Sequence, residues 1–180
     1  MNLKLAVMAS GRGSNFKALV DAIRRRVLNA QITCLVCDQP DAPVCGVARE
    51  NGIEVVPFDG QTAGKIQAYG CDLIILAGFM RVLSPEFISE FPDRILNIHP
   101  SLLPRFKGLH AQRQALEHHE TITGCTVHVV TPEVDSGTVI AQRVVFTESG
   151  DTEEVLSARI LAEEHKLLAE AIRHYAGWLT

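Results

Sequence analysis

The residues Leu3-Lys4-Leu5-Ala6-Val7-Met8-Ala9-Ser10-Gly11-Arg12-Gly13-Ser14-Asn15 run from an apolar segment of strand length straight into a glycine turn. The turn opens a segment of helical period, Phe16-Leu19-Val20-Ile23, that ends before Val27. A strand apolar along most of its length is buried on both faces, and a strand that feeds a helix at once is the unit of an α/β fold. Similar runs recur at Gln31 to Cys37, Glu54 to Phe58, Leu73 to Ala77 and Ile95 to Ile98, with a helical segment from Val44 to Asn51 closed by Gly52. This alternation predicts an α/β fold: a Rossmann-like, mostly parallel sheet with helices on both faces.

After position 120 the pattern changes. Thr126 to Val130 and Val139 to Phe146 read as two strands joined by the turn-rich Thr131-Pro132-Glu133-Val134-Asp135-Ser136-Gly137, which predicts an antiparallel edge. Asp151-Thr152-Glu153-Glu154 reads as a capping box that starts a last helix running to about Tyr175.

A chain of 180 residues, 47% of them hydrophobic, is long enough to bury one core, and no linker, repeat or low-complexity tract divides it, so a single domain over 1–180 is expected. The net charge of −4 with interspersed signs gives no footprint for nucleic acid. Arg24-Arg25-Arg26 reads as the solvated end of a helix, with a basic patch as the alternative. The N-terminal apolar run is too short for a signal peptide and no run has the length of a membrane span, so a cytoplasmic protein is expected. The five cysteines do not form two close pairs at zinc spacing. Cys34 and Cys37 lie in one strand, where positions three apart face opposite sides, so they read as structural rather than metal-binding or redox-active.

Four places carry chemistry. Asn97 and His99 are two apart in a strand and share a face, and Pro100 holds His99 extended; they read either as a catalytic pair or as a strand end with a packed histidine. Gly11 to Asn15 stands at a helix start, where unpaired N–H groups attract phosphate; an ordinary tight turn is the alternative. Asp135, before Ser-Gly, is either a turn former or a functional carboxylate. Glu164 falls on the apolar stripe of Ile160, Leu167, Leu168 and Ala171, where a carboxylate needs a partner unless it snorkels to solvent.

Separated blocks, in one order, resemble the folate-dependent formyltransferases, and among them the branch acting on glycinamide ribonucleotide. They are Ala9 to Asn15, Leu76 to Ser84, Asn97 to Pro104 with Gly108-Leu109-His110, Gly124 to His128 with Asp135-Ser136-Gly137, and Glu164-His165. The resemblance implies the formyltransferase fold and transfer of a formyl group from 10-formyltetrahydrofolate to the amine of glycinamide ribonucleotide, in purine biosynthesis. It implies that Asn97, His99 and Asp135 are catalytic, with Asn97 on the formyl oxygen and Asp135 keeping His99 cationic. Gly13, Ser14 and Asn15 would hold the substrate phosphate, and Glu164 the amine-bearing end. Met80, Arg81, Val82 and Leu83, with Asn97 and Thr131, Pro132, Glu133, Val134 and Asp135, would line the folate pocket. His110 and His128 match as supporting residues. No metal and no covalent enzyme intermediate are called for.

Departures from the pattern touch the substrate. Asp59 to Gly70 is shorter than its counterpart, which carries a substrate-contacting arginine; Lys65 is the nearest stand-in, and no arginine lies between Arg49 and Arg81. Leu161 stands where relatives often place a polar contact. Transfer to another amine, hydrolysis of formyltetrahydrofolate and a non-catalytic nucleotide-binding module therefore remain as alternatives, and a monomer and a homodimer are both open.

Overall fold

The computed structural model describes residues 2–178. Its seven strands lie in the order β3-β2-β1-β4-β5-β6-β7 in one sheet: β1 (Leu3–Met8), β2 (Ala30–Cys37), β3 (Glu54–Pro57), β4 (Leu73–Leu76), β5 (Ile95–His99), β6 (Ile122–Val129) and β7 (Val139–Phe146). The first five are parallel, and β6 and β7 pair antiparallel at one edge. The expected β6 at Thr126 to Val130 is longer at its start. Ile122, Thr123, Gly124 and Cys125 extend it, and it ends at Val129; Gly124 sits against the carbonyl of Arg143, a closeness that no side chain would allow.

Helices α1 (Ser14–Arg24), α2 (Pro43–Glu50) and α6 (Glu153–Ala176) pack on one face over Leu5, Val7, Leu35, Leu73, Ile75 and Leu96. The short α3 (Thr62–Ala68) and α4 (Pro85–Ser89) cover the other, where Ala6, Met8, Cys34, Val36, Ile74 and Ile95 are buried. Each fully buried leucine or isoleucine in these layers contributes about 1.5–3 kcal/mol. Cys34 and Cys37 do face opposite layers, and all five cysteines are free thiols. Arg24 ends α1, with Arg25 as its cap and exposed Arg26 beyond. Thr152 caps α6 by accepting from the N–H of Val155; with valine rather than glutamate at that position the cap is one-sided, not the reciprocal box expected.

Strand order reverses between β1 and β4: β2 lies to one side of β1 and β4 to the other. The loops leaving β1 and β4 therefore diverge, and such a crevice at the carboxyl ends of the strands is where open α/β sheets bind ligands. α5 (Ala111–Glu117) and the loop before it close the crevice beyond β5. Among the described residues no helix is long and apolar enough to cross a membrane.

Candidate active site

A cavity of about 670 Å³ fills this crevice, a volume suited to a small-molecule ligand. Its lining includes Gly13, Ser14, Asn15, Met80, Arg81, Val82, Leu83, Asn97, His99, Thr131, Pro132, Val134, Asp135 and Glu164. Segments up to about 150 positions apart thus meet in one place.

Asn97 and His99 reach it from the end of β5, on one face, as their spacing requires. Asp135 comes from the loop between β6 and β7, with φ of +48°, a conformation that aspartate tolerates better than most residues. The loop is held in place by Gly137, whose missing side chain lets the Val129 carbonyl approach. Asp135 Oδ2 accepts from the Gly108 N–H at 2.8 Å and lies 3.3 Å from His99 Nδ1. Its Oδ1 lies 3.3 Å from His128 Nε2 and accepts from Asn97 Nδ2 at 3.4 Å. Burial alone would raise this carboxyl, but His128, the Gly108 N–H and His99 outweigh burial and hold it below the usual carboxylate range.

His99 is buried, and its Nε2 sits 2.8 Å from the Phe106 carbonyl, which assigns a proton to Nε2. Burial pulls its pKa below the ordinary range; the Phe106 carbonyl and Asp135 pull upward, and His128 adds to the lowering. The net direction is down. Asp135 pulls the ring upward, as expected, and desolvation of the ring pulls it further down. His99 points no free N–H into the cavity, since one nitrogen faces Phe106 and the other Asp135. Asn97 Nδ2 is 3.1 Å from His128 Nε2, whose other nitrogen meets the Val129 carbonyl at 2.9 Å. The 3.3 Å and 3.4 Å contacts to Asp135 are the long ones, and a reacting oxygen placed beside the carboxylate can compete for them.

Gly13, also in the lining, is the N-cap of α1 at φ +76°, with no side-chain cap, so the N–H groups of the first turn are left for a ligand. Met80, Val82 and Val134, also in the lining, are exposed apolar side chains.

A family model described as formyl transferase matches residues 3–172. This chain belongs to the formyl transferase family. It is 37% identical over 185 residues to the phosphoribosylglycinamide formyltransferase of Escherichia coli (strain K12), covering 97% of this chain and 87% of that one. The crystal structure of glycinamide ribonucleotide transformylase 1 from Symbiobacterium toebii superposes with a TM-score of 0.93 at 43% identity, covering 98% and 88% of the two chains. A formyltetrahydrofolate deformylase from Pseudomonas syringae pv. tomato str. DC3000 shares the fold with a TM-score of 0.91 at 25% identity, covering 98% of this chain and 62% of that one.

Within this formyl transferase two of the side chains singled out in the sequence, Glu133 and Lys65, stand outside the cavity lining. Glu133 is absent from the cavity lining; it is exposed, 3.8 Å from Lys107 Nζ, because the turn points it outward. Lys65 is paired with Asp59 at 3.1 Å and does not line the cavity either. The Arg81 guanidinium lies over the Phe58 ring, 5.3 Å from its centroid. The Asn15 side chain donates through Nδ2 to Glu164 Oε2 at 2.7 Å, so Glu164 has found its partner in the protein. Burial raises the Glu164 carboxyl above its usual range against the pull of that bond. Sequence reasoning overlooked the Phe106 carbonyl and the Gly108 N–H, which fix His99 and Asp135; backbone groups carry no signature in side-chain pattern. Among the described residues no group of three or more His, Cys, Asp or Glu is placed to hold a metal ion.

Proposed function

We infer that the protein transfers the formyl group of 10-formyltetrahydrofolate to the amine of glycinamide ribonucleotide. One observation carries the reading: two N–H-bearing side chains, Asn97 and His99, and the Asp135 carboxyl converge on a cavity that is also lined by an uncapped helix start and by exposed apolar side chains. The helix start suits a phosphate, and the apolar side chains a flat pterin.

Attack of the amine nitrogen on the formyl carbon forms a C–N bond and leaves an oxyanion. Asn97 Nδ2 is placed to donate to it by releasing its long bond to Asp135. The attacking amine loses a proton to the Asp135–His99 couple, which is poised to accept because Asp135 is ionised and His99 is held below its ordinary pKa. Carrying that proton, His99 becomes the cationic donor just when the oxyanion exists. Collapse breaks the bond to N10 of the folate, which takes the proton. Charge is conserved at each step.

Hydrolysis of the formyl folate is the second reading, favoured by the fold shared with the deformylase. The helix start at Gly13, useful to a phosphate and of no use to water, weighs for transfer. Mixing the protein with 10-formyltetrahydrofolate and following tetrahydrofolate release with and without glycinamide ribonucleotide tests both. Release only with the amine supports transfer; equal release without it assigns hydrolysis, and none in either overturns the reading.

A further inference from the structure

Ile32 and Cys34 are two apart in β2, yet they are buried in opposite layers. Between them the register slips: Ile32 pairs with Leu5 and Cys34 with the next residue, Ala6, so Thr33 is the extra residue of a β-bulge. The bulge presents the Thr33 hydroxyl to the segment that enters β4. Its Oγ1 lies 3.0 Å from Cys71 Sγ and donates to the Leu5 carbonyl at 3.1 Å. Cys71 packs on the same layer that buries Cys34, and the two thiols are hydrogen-bonded neighbours.

The two sulfurs differ in what surrounds them. Cys34 is fully buried, whereas Cys71 is half-buried. Lys4 runs alongside: its N–H donates to Asp72 Oδ2 at 2.8 Å, its carbonyl accepts from the Asp72 N–H at 2.7 Å, and a Cβ on Gly70 would stand 3.8 Å from its ammonium. The Cys34 S–H, the Thr33 hydroxyl and the Lys4 charge hold the Cys71 thiol below its ordinary range, against burial and the Asp72 carboxylate. The bond to Cys71 and burial push the Cys34 thiol up. A reachable sulfur that ionises readily, backed by a buried one that stays protonated, is the arrangement of an attacking thiol and a resolving thiol. Cys37 and Cys45 lack it. Both donate to the Gln39 carbonyl, at 3.2 Å and 3.7 Å, and both are buried.

We propose that Cys71 is an oxidation site for hydrogen peroxide and that Cys34 resolves it, closing a disulfide between β2 and the segment that enters β4. The Cys71 thiolate attacks one peroxide oxygen: an S–O bond forms, the O–O bond breaks, and the departing hydroxide takes up the proton that Cys71 lost on ionising. Cys71 is then a sulfenic acid. The Cys34 sulfur attacks the Cys71 sulfur, an S–S bond forms, the S–O bond breaks, and hydroxide leaves with the Cys34 proton as water. The two thiols together lose two electrons, and one peroxide is reduced to two waters. The bond closes the stretch that carries β3 and α3 into a loop. Neither sulfur lines the cavity, so the reaction leaves the catalytic groups untouched.

Peroxide titration of the reduced, folded protein at neutral pH tests it. Loss of two of the five thiols is expected, with an intact mass lower by about 2 Da, and a non-reducing digest is expected to join the Cys34 and Cys71 peptides. In Cys34→Ala the sulfenic acid has no resolving partner, and dimedone is expected to label Cys71. In Cys71→Ser the rate of thiol loss is expected to fall about tenfold or more. Cys34→Ala removes a buried sulfur, so the wild-type peptide map decides the matter if that variant folds poorly. A bond between Cys37 and Cys45, sulfinic acid on Cys71 with Cys34 still reduced, or thiols that react only once the chain unfolds would each overturn the proposal. So would thiols left intact by a peroxide excess that oxidises free cysteine.

Discussion

Replacing Asp135 by asparagine and by alanine separates its charge from its role in the loop. The carboxylate lies 3.3 Å from His99 Nδ1. At an effective dielectric of about 20, two unit charges at that separation attract by about 5 kcal/mol before desolvation is subtracted. Loss of one preorganised group facing developing charge typically costs about 3–4 kcal/mol, so turnover in Asp135→Asn is expected to fall about 10²–10³-fold. Stability should hardly move in that variant. Asparagine tolerates the φ of +48°, and its Oδ1 can still accept the Gly108 N–H. Asp135→Ala loses that acceptor, worth about 1–3 kcal/mol, and adds about 1 kcal/mol of backbone strain. The two variants should thus match in kcat under saturating substrates while differing by about 2–4 kcal/mol in urea denaturation. Turnover of Asp135→Asn within tenfold of wild type would refute the assignment of a charge-dependent step to this residue, and equal stabilities would refute the account of the loop.

Other outcomes follow from the same geometry. A Cβ at Gly13 would stand 2.5 Å from Val44 Cγ2 and 2.7 Å from Val44 Cβ at φ +76°, so Gly13→Ala combines about 1–2 kcal/mol of strain with about 1–3 kcal/mol of overpacking. Its denaturation midpoint should drop markedly, and an unchanged midpoint would mean that the turn is looser than described; Gly13→Val should be too damaged to report on phosphate binding alone. Burial holds His99 and His165 below the ordinary histidine range, so the unfolded chain takes up protons the folded one resists. Their contribution to stability is complete above the unfolded value of about 6.5 and is lost as pH falls below it toward the folded values. The melting temperature should therefore fall between pH 7.5 and 5.5, less steeply in His165→Asn, and an identical slope in that variant would count against His165. Glu133→Gln should leave the folate KM within about twofold, since an exposed pair at 3.8 Å contributes little; a large rise would return Glu133 to the pocket.

The strand and helix alternation was legible because burial on both faces writes itself as continuous apolar runs, and Leu5, Val7, Ile75 and Leu96 are buried for that local reason. The shared face of Asn97 and His99 followed from a period of two, and the helix start at Gly13 from two glycines after a strand. Tertiary structure alone decided what those residues meet. Nothing in the sequence brings Asp135 to His99, or Asn15 to Glu164 across 149 positions, because such contacts depend on strand order and on a positive φ at one residue. The direction of the His99 shift was likewise beyond reach. It turns on a contest between desolvation and two neighbours, one of them the backbone carbonyl of Phe106, and burial is a property of the whole fold rather than of any stretch of chain.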